Sequence, residues 1–250
     1  MADGRMDVVI AVHNGAATIE ACVRSVLDIA VLARVLVADD GSTDSTPDIL
    51  SRIEDDRLQV ERVEHRSRAR AANHVLRMCT APFVCSVDAD VRVVEDRFDE
   101  LLELAVSVPF LMLSDEGHGR EVTPVRLTEK EFRAPRNAFL FSRRALPGLR
   151  FADIYPAAGG EDTDLAFRLL KAGVGVGVTA GGYEHARDVG PMGWRRRAHF
   201  HAWNLVTYAR HLDVPLVRER LGDIARHPLR RVSASVRQEL GASGHRRTVR

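Results

Sequence analysis

Val84-Cys85-Ser86-Val87-Asp88-Ala89-Asp90 is an apolar strand that delivers two carboxylates separated by one residue. Carboxylate oxygens in that spacing suit a hard divalent cation, which can neutralise the charge that grows on a departing diphosphate. In this reading Asp90 is a metal ligand, and Asp88 either bonds a ribose or also reaches the metal. Taken alone, Asp-x-Asp more often marks an acidic surface turn. The neighbouring segments decide between the two.

Upstream, Asp7 to Val12, Val35 to Ala38 and Leu58 to Val63 read as strands, with Phe83 to Val87 as the fourth. Ile19, Cys22, Val23, Val26 and Leu27 recur at helical spacing, Pro47 suits a first helical turn, and Ala69 to Met78 forms a further helix. Successive βα units predict a mostly parallel sheet flanked by helices. Ligands of such sheets bind beyond the carboxyl ends of the strands. The residues there are His13-Asn14, Asp39-Asp40, Glu64-His65-Arg66 and Asp88-Ala89-Asp90, all of them polar or charged apart from Ala89.

Asp39-Asp40-Gly41-Ser42-Thr43-Asp44 is rich in turn formers, but a carboxylate at a strand's end can also accept a hydrogen bond from a nucleobase. Arg66 and Arg68 open the next helix. Each suits either a solvated basic stretch or a guanidinium against the base or diphosphate.

Downstream, Phe98 to Ala105 suggests a helix, and Phe110 to Leu113 and Ala138 to Ser142 suggest strands. Gly159-Gly160-Glu161-Asp162-Thr163-Asp164 opens a helix that Gly173 closes, and Val174 to Val178 reads as one more strand. Acidic residues at a helix start are favoured by its dipole, so a structural role competes with a chemical one. Asp162 is the candidate general base, flanked by Glu161 and Asp164 on the acceptor side. His185 suits either a satisfied polar residue or a third metal ligand. Trp194, at the start of a helix running to about Leu212, suits either a core position or an acceptor contact.

With 45% hydrophobic and 28% charged residues among 250, the chain has the composition of a globular protein with room for a substantial core. Lys plus Arg (36) nearly cancels Asp plus Glu (35), so charge gives no case for nucleic acid as partner. Three cysteines in apolar surroundings read as buried free thiols, and together with an N-terminus lacking a signal-peptide pattern they predict a cytoplasmic setting. The expected organisation is one domain over 1–212 and a basic extension over 213–250. In that extension Arg218, Arg220, Arg226, Arg230, Arg231 and Arg237 suit either peripheral contact with the inner membrane surface or a solvated tail.

In order, these segments resemble the family-two glycosyltransferases of the GT-A fold, over about residues 6 to 212. Val8-Val9-Ile10-Ala11-Val12-His13-Asn14 is similar to the opening strand, Asp39 to Asp44 to the base-binding turn, and Asp88-Ala89-Asp90 to the metal motif. Asn137 to Leu146 is similar to the segment before the acceptor site, and Glu161-Asp162-Thr163-Asp164-Leu165 to the family's Glu-Asp helix. Ala11 departs from the usual Pro, and His65 and Ser67 from the common Asn and Gly.

The resemblance implies inverting transfer from a nucleotide-sugar donor, assisted by Mn²⁺ or Mg²⁺, to a sugar, lipid-linked or small-molecule acceptor. His13, Asn14, Asp39, Arg66, Arg68 and Asp88 would face the nucleotide, Asp88, Asp90 and His185 the metal, and Asp162 would take the acceptor's proton. The processive synthases' Gln-x-x-Arg-Trp motif is missing, which points to a single-addition enzyme. The alternative is a sugar-nucleotide-binding scaffold without catalysis.

Overall fold

The computed structural model describes residues 6–94, 97–114, 122–124, 137–155, 159–185 and 194–211. The expected basic extension lies outside these residues. The first half is built of β1 (Met6–Val12), α1 (Ile19–Leu27), β2 (Leu32–Asp40), α2 (Thr46–Ser51), β3 (Leu58–Val63), α3 (Arg68–Leu76) and β4 (Phe83–Asp88). β5 (Val91–Val93), α4 (Phe98–Ser107), β6 (Phe110–Ser114), β7 (Val122–Pro124) and β8 (Ala138–Ser142) follow. The chain then forms α5 (Glu161–Lys171), β9 (Val176–His185) and α6 (Trp194–His211).

The strands form one sheet in the order β3-β2-β1-β4-β8-β6-β9-β5, with β7 on β9. β3, β2, β1 and β4 run parallel, as βα units require. β8 then enters antiparallel between β4 and β6, so the sheet is mixed, and parallel pairing returns between β6 and β9. This reversal positions the site. It brings the start of β8 to the carboxyl end of β4, where the Asp88 N–H donates to the Asn137 carbonyl at 2.7 Å.

β1 and β2 are central and covered on both faces, which is why they read as continuous apolar runs. β3 is the edge strand. It alternates, with Val60 41% exposed. α1, α2 and α4 pack on one face of the sheet with Val8, Ile10 and Leu111, whereas α3 and α5 pack on the other with Val9, Leu36 and Phe139. Cys22, Cys79 and Cys85 are free and buried as expected, and burial first among the causes pushes each thiol up, out of the reactive range.

Two expectations change. The last strand runs on from Val176 through Gly181-Gly182 to His185 with an irregular register beside β6, so His185 belongs to the strand and does not follow it. β5 and β7 had no counterpart in the sequence reading. Each is three residues long, too short to show a period of two.

Candidate active site

The carboxyl ends of β1, β2 and β3 are knitted together by side chains that accept backbone N–H groups. Asp39 is buried, accepts from the Ser42 N–H at 2.9 Å and is paired with Arg62 at 3.0 Å. Asp40 accepts three N–H groups, from His65 (2.6 Å), Arg66 (2.9 Å) and Ser67 (2.8 Å), and so fixes the turn into α3. Arg66 sits there at φ 50 with its side chain exposed. The His13 ring meets the Asp40 carbonyl at 2.8 Å. Asn14 receives the Thr43 N–H on its own Oδ1 at 2.8 Å and donates its N–H to Ser42 Oγ at 2.9 Å. His13, Asn14 and Asp39 thus stand together at the crevice, as parts of a rigid cradle.

β4 ends at Asp88, and β5 pairs with β9 so that Val91 faces His185. This register brings His185 beside the acidic turn. Burial raises the Asp90 pKa, the Asp88 charge adds to the effect, and His185 opposes it, so the three groups feel one another. Asn137, at φ 62, ties the group together. Its carbonyl holds the Asp88 N–H, while its Nδ2 donates to the Tyr183 hydroxyl at 3.0 Å and lies 2.5 Å from His185 Nε2. Two carboxylates and an imidazole are a donor set that suits Mn²⁺ or Mg²⁺. Among the described residues no three such side chains are gathered into a ready-made cage, because Asp88 is turned to an arginine and His185 to Asn137.

That arginine is Arg68, the first residue of α3, whose helix is capped by Ser67. Its Nε donates to Asp88 Oδ1 at 3.1 Å and its Nη2 bonds the same oxygen. Nη1 reaches Glu161 Oε1 at 3.3 Å and Asp162 Oδ1 at 3.1 Å. The guanidinium lies 5.4 Å from the centre of the Phe151 ring. Burial alone would pull the Arg68 pKa down, but Asp162, Asp88 and Glu161 outweigh it and keep it charged. Asp88 and Asp162, 74 residues apart in sequence, are therefore drawn to one guanidinium.

The three acids that open α5 have separate fates. Glu161 is buried and takes the Gly159 N–H at 2.5 Å with its other oxygen. Asp164, an expected acceptor-side residue, points away from the cleft: it is fully buried and held by Arg168 at 2.8 Å and His211 at 2.9 Å, fastening α5 to α6. Asp162 keeps 23% of its side chain exposed, and burial raises its pKa to about 7 against the pull of Arg68, with Glu161 and Asp88 adding to the rise. Trp194 begins α6, and its side chain lies outside the described residues.

Sequence reasoning missed how closely α6 leans on this corner. Gly160 adopts φ +91, and a Cβ there would lie 2.6 Å from Thr207 Oγ1 and 2.9 Å from the Trp203 carbonyl oxygen. The Tyr155 and Thr207 hydroxyls share a 2.6 Å hydrogen bond, and Trp203 packs edge-on against Tyr155. It also missed Asp40 and Asn137 as organisers. Asp40 is flagged only by its place at a strand's end, and Asn137 by nothing local.

A cavity of about 440 Å³ lies elsewhere, between α1, β5 and α4, and is lined by Arg24, Asp28, Arg92 and Phe98 among others, with none of the residues above.

Solved structures share this fold. A mannosyltransferase, PcManGT from Pyrobaculum calidifontis in complex with GDP-Man and Mn²⁺, superposes with a TM-score of 0.61 at 20% identity, over 96% of this chain and 79% of that one. S. aureus TarS 1-349 in complex with UDP gives 0.60 at 17% identity, over 88% of this chain and 70% of that one. The same fragment in complex with UDP-GlcNAc gives 0.59 at 16% identity, over 88% and 71%. No curated protein matches the chain. At these identities the likeness establishes the fold, that of the GT-A glycosyltransferases. The model of glycosyl transferase family 2 matches residues 7–152, more than half the chain. On that match, this chain belongs to glycosyl transferase family 2 and is a glycosyltransferase.

Proposed function

We propose that the chain moves a sugar from a nucleoside-diphosphate donor to an acceptor hydroxyl with inversion, and that Asp162 is the general base. The supporting observation is the span of Arg68, which reaches Asp88 on the donor side and Asp162 on the α5 side at once. A proton acceptor and a diphosphate site must lie about that close, on opposite sides of one sugar carbon, for in-line displacement. The known complexes of structural neighbours with UDP, UDP-GlcNAc and GDP-Man favour a nucleotide-sugar donor.

Asp39, at the end of β2, is the candidate base reader, and the candidates His13, Asn14 and Arg66 are bonded to its neighbours Asp40 and Ser42. Asp88, Asp90 and His185 would hold Mn²⁺ or Mg²⁺, whose positive charge would stabilise the departing diphosphate. Asp162 accepts the acceptor hydroxyl's proton, and its raised pKa of about 7 suits a base working near neutrality. Glu161, anchored on the Gly159 N–H, keeps the start of α5 in register.

Residues 1–212 are the catalytic unit in this reading. Residues 213–250 are an accessory basic segment that carries a cytoplasmic enzyme to a membrane surface, where a lipid-linked acceptor would lie. No described helix is long and apolar enough to cross a membrane.

The deciding variant is Asp162→Asn. It keeps size and hydrogen bonding but cannot take a proton, so transfer should fall by about 10²- to 10⁴-fold while donor affinity barely changes. Near wild-type transfer by this variant would remove Asp162 from the chemistry.

A further inference from the structure

Arg68 stands where the donor-side chemistry has to happen. Its guanidinium bonds one oxygen of Asp88 through two nitrogens, and its third nitrogen is shared by Glu161 and Asp162. Among the described residues Arg68 is the one side-chain hydrogen-bond partner of Asp162. Asp88 has the same dependence, since its other contacts among the described residues are made by its backbone. The group is held but not locked. It keeps 18% of its side-chain surface exposed and hangs on a flexible stem at the first turn of α3, beside the Phe151 ring.

A divalent cation bound through Asp88 and a guanidinium bonded to Oδ1 of the same carboxylate are like charges drawing on one ligand, so each weakens the other's hold. A diphosphate, by contrast, offers a guanidinium the paired oxygens that a carboxylate offers.

Resting on the donor reading above, we propose that Arg68 is an internal cation. It occupies Asp88 and Asp162 in the donor-free enzyme, yields Asp88 only to metal arriving with a nucleoside diphosphate, and then moves onto that diphosphate. Two consequences follow. Metal alone binds poorly, because it must evict Arg68 with no compensating anion. Asp162 is released to meet an acceptor hydroxyl only once the donor is seated, which holds the base in its ion pair while the cleft is empty.

The test is Mn²⁺ binding to the full chain, followed by the electron paramagnetic resonance signal of free Mn²⁺, alone and with UDP or GDP. Arg68→Met should bind Mn²⁺ alone about tenfold more tightly than wild type, within the usual range of coupling between sites. It should also lose most of the gain in Mn²⁺ affinity that the nucleotide gives wild type. Arg68→Lys, which keeps the charge but not the paired geometry, should shift the same way by less and guards against a folding defect in the Met variant. Unchanged or weaker binding of Mn²⁺ alone by both variants overturns the proposal, even if wild type binds Mn²⁺ with UDP or GDP as the donor reading requires. If instead neither nucleotide raises Mn²⁺ affinity in any of the proteins, the donor reading fails. Tighter binding of Mn²⁺ alone by the variants would then keep Arg68 as the competing cation and overturn its transfer to a diphosphate.

Discussion

Two acidic clusters, one at the end of β2 and one at the start of α5, are built on opposite plans. In Asp39 to Asp44 the carboxylates are consumed by backbone: Asp40 by three N–H groups, Asp39 by one N–H and Arg62, Asp44 by the N–H groups of Ala16 and Thr46. In Glu161 to Asp164 the partners are mostly side chains, and Asp162 depends on a single arginine. A carboxylate bonded to several amides has its charge and place set by the fold, whereas one bonded to a mobile cation can change partner. The first plan makes a cradle. The second leaves a group able to accept a proton.

The strongest way to break this contrast is to remove the cradle's central acid. Asp40→Ala orphans three N–H groups at about 1–3 kcal/mol each, but two of them are part-buried and regain water, so denaturant unfolding should show a loss of about 3–5 kcal/mol. A loss below about 1 kcal/mol would mean that water replaces the carboxylate and the cradle is not rigid.

The second approach uses pH. Burial, with Glu161 and Asp88 adding and Arg68 opposing, raises Asp162 to about 7, so the ionised base is lost below that value. kcat/KM should fall about tenfold per pH unit on the acid side and level off above it. The stability sign is opposite to that of an ordinary ion-paired carboxylate. The native state holds this proton more tightly than the unfolded chain, so the group's contribution is full below the usual carboxylate range and lost as pH rises through about 7. A kcat/KM profile flat across this range would place the proton acceptor elsewhere.

The smallest expected effect sharpens the donor side. Asp39→Ala should weaken UDP or GDP binding about tenfold, the worth of one charge-assisted hydrogen bond, with the fold retained. Unchanged affinity in titration calorimetry would leave Asp39 as a partner for Ser42 and Arg62 alone.

Much of the cradle was legible because its signals are local. Strand, polar end and helix follow one another within a few residues, and β3 and β8 run between the residues expected. The α5 corner was legible only in part. Glu161 and Asp162 stand out as acids at a helix start, but the burial of Asp164 depends on His211, 47 residues away on α6. The role of Asn137 depends on a strand that reverses the sheet, and no period in the sequence announces such a reversal. Arg68 reads from the sequence as a candidate contact for base or diphosphate, but residue type alone does not announce the three carboxylates that folding draws around it.

The close approach at Gly160 has an evolutionary side. With Thr207, Tyr155 and the Trp203 backbone all within 3 Å of the missing Cβ, any larger residue at 160 requires a smaller partner at 207 and a displaced ring at 155. Such positions change together or not at all, since each single step passes through an overpacked intermediate. The opposite face of the same helix is under no such constraint, as Ala202, Val206 and Ala209 are exposed. Descendants of this chain should therefore diversify along the outer face of α6 while inheriting the Gly160, Tyr155 and Thr207 set as one unit.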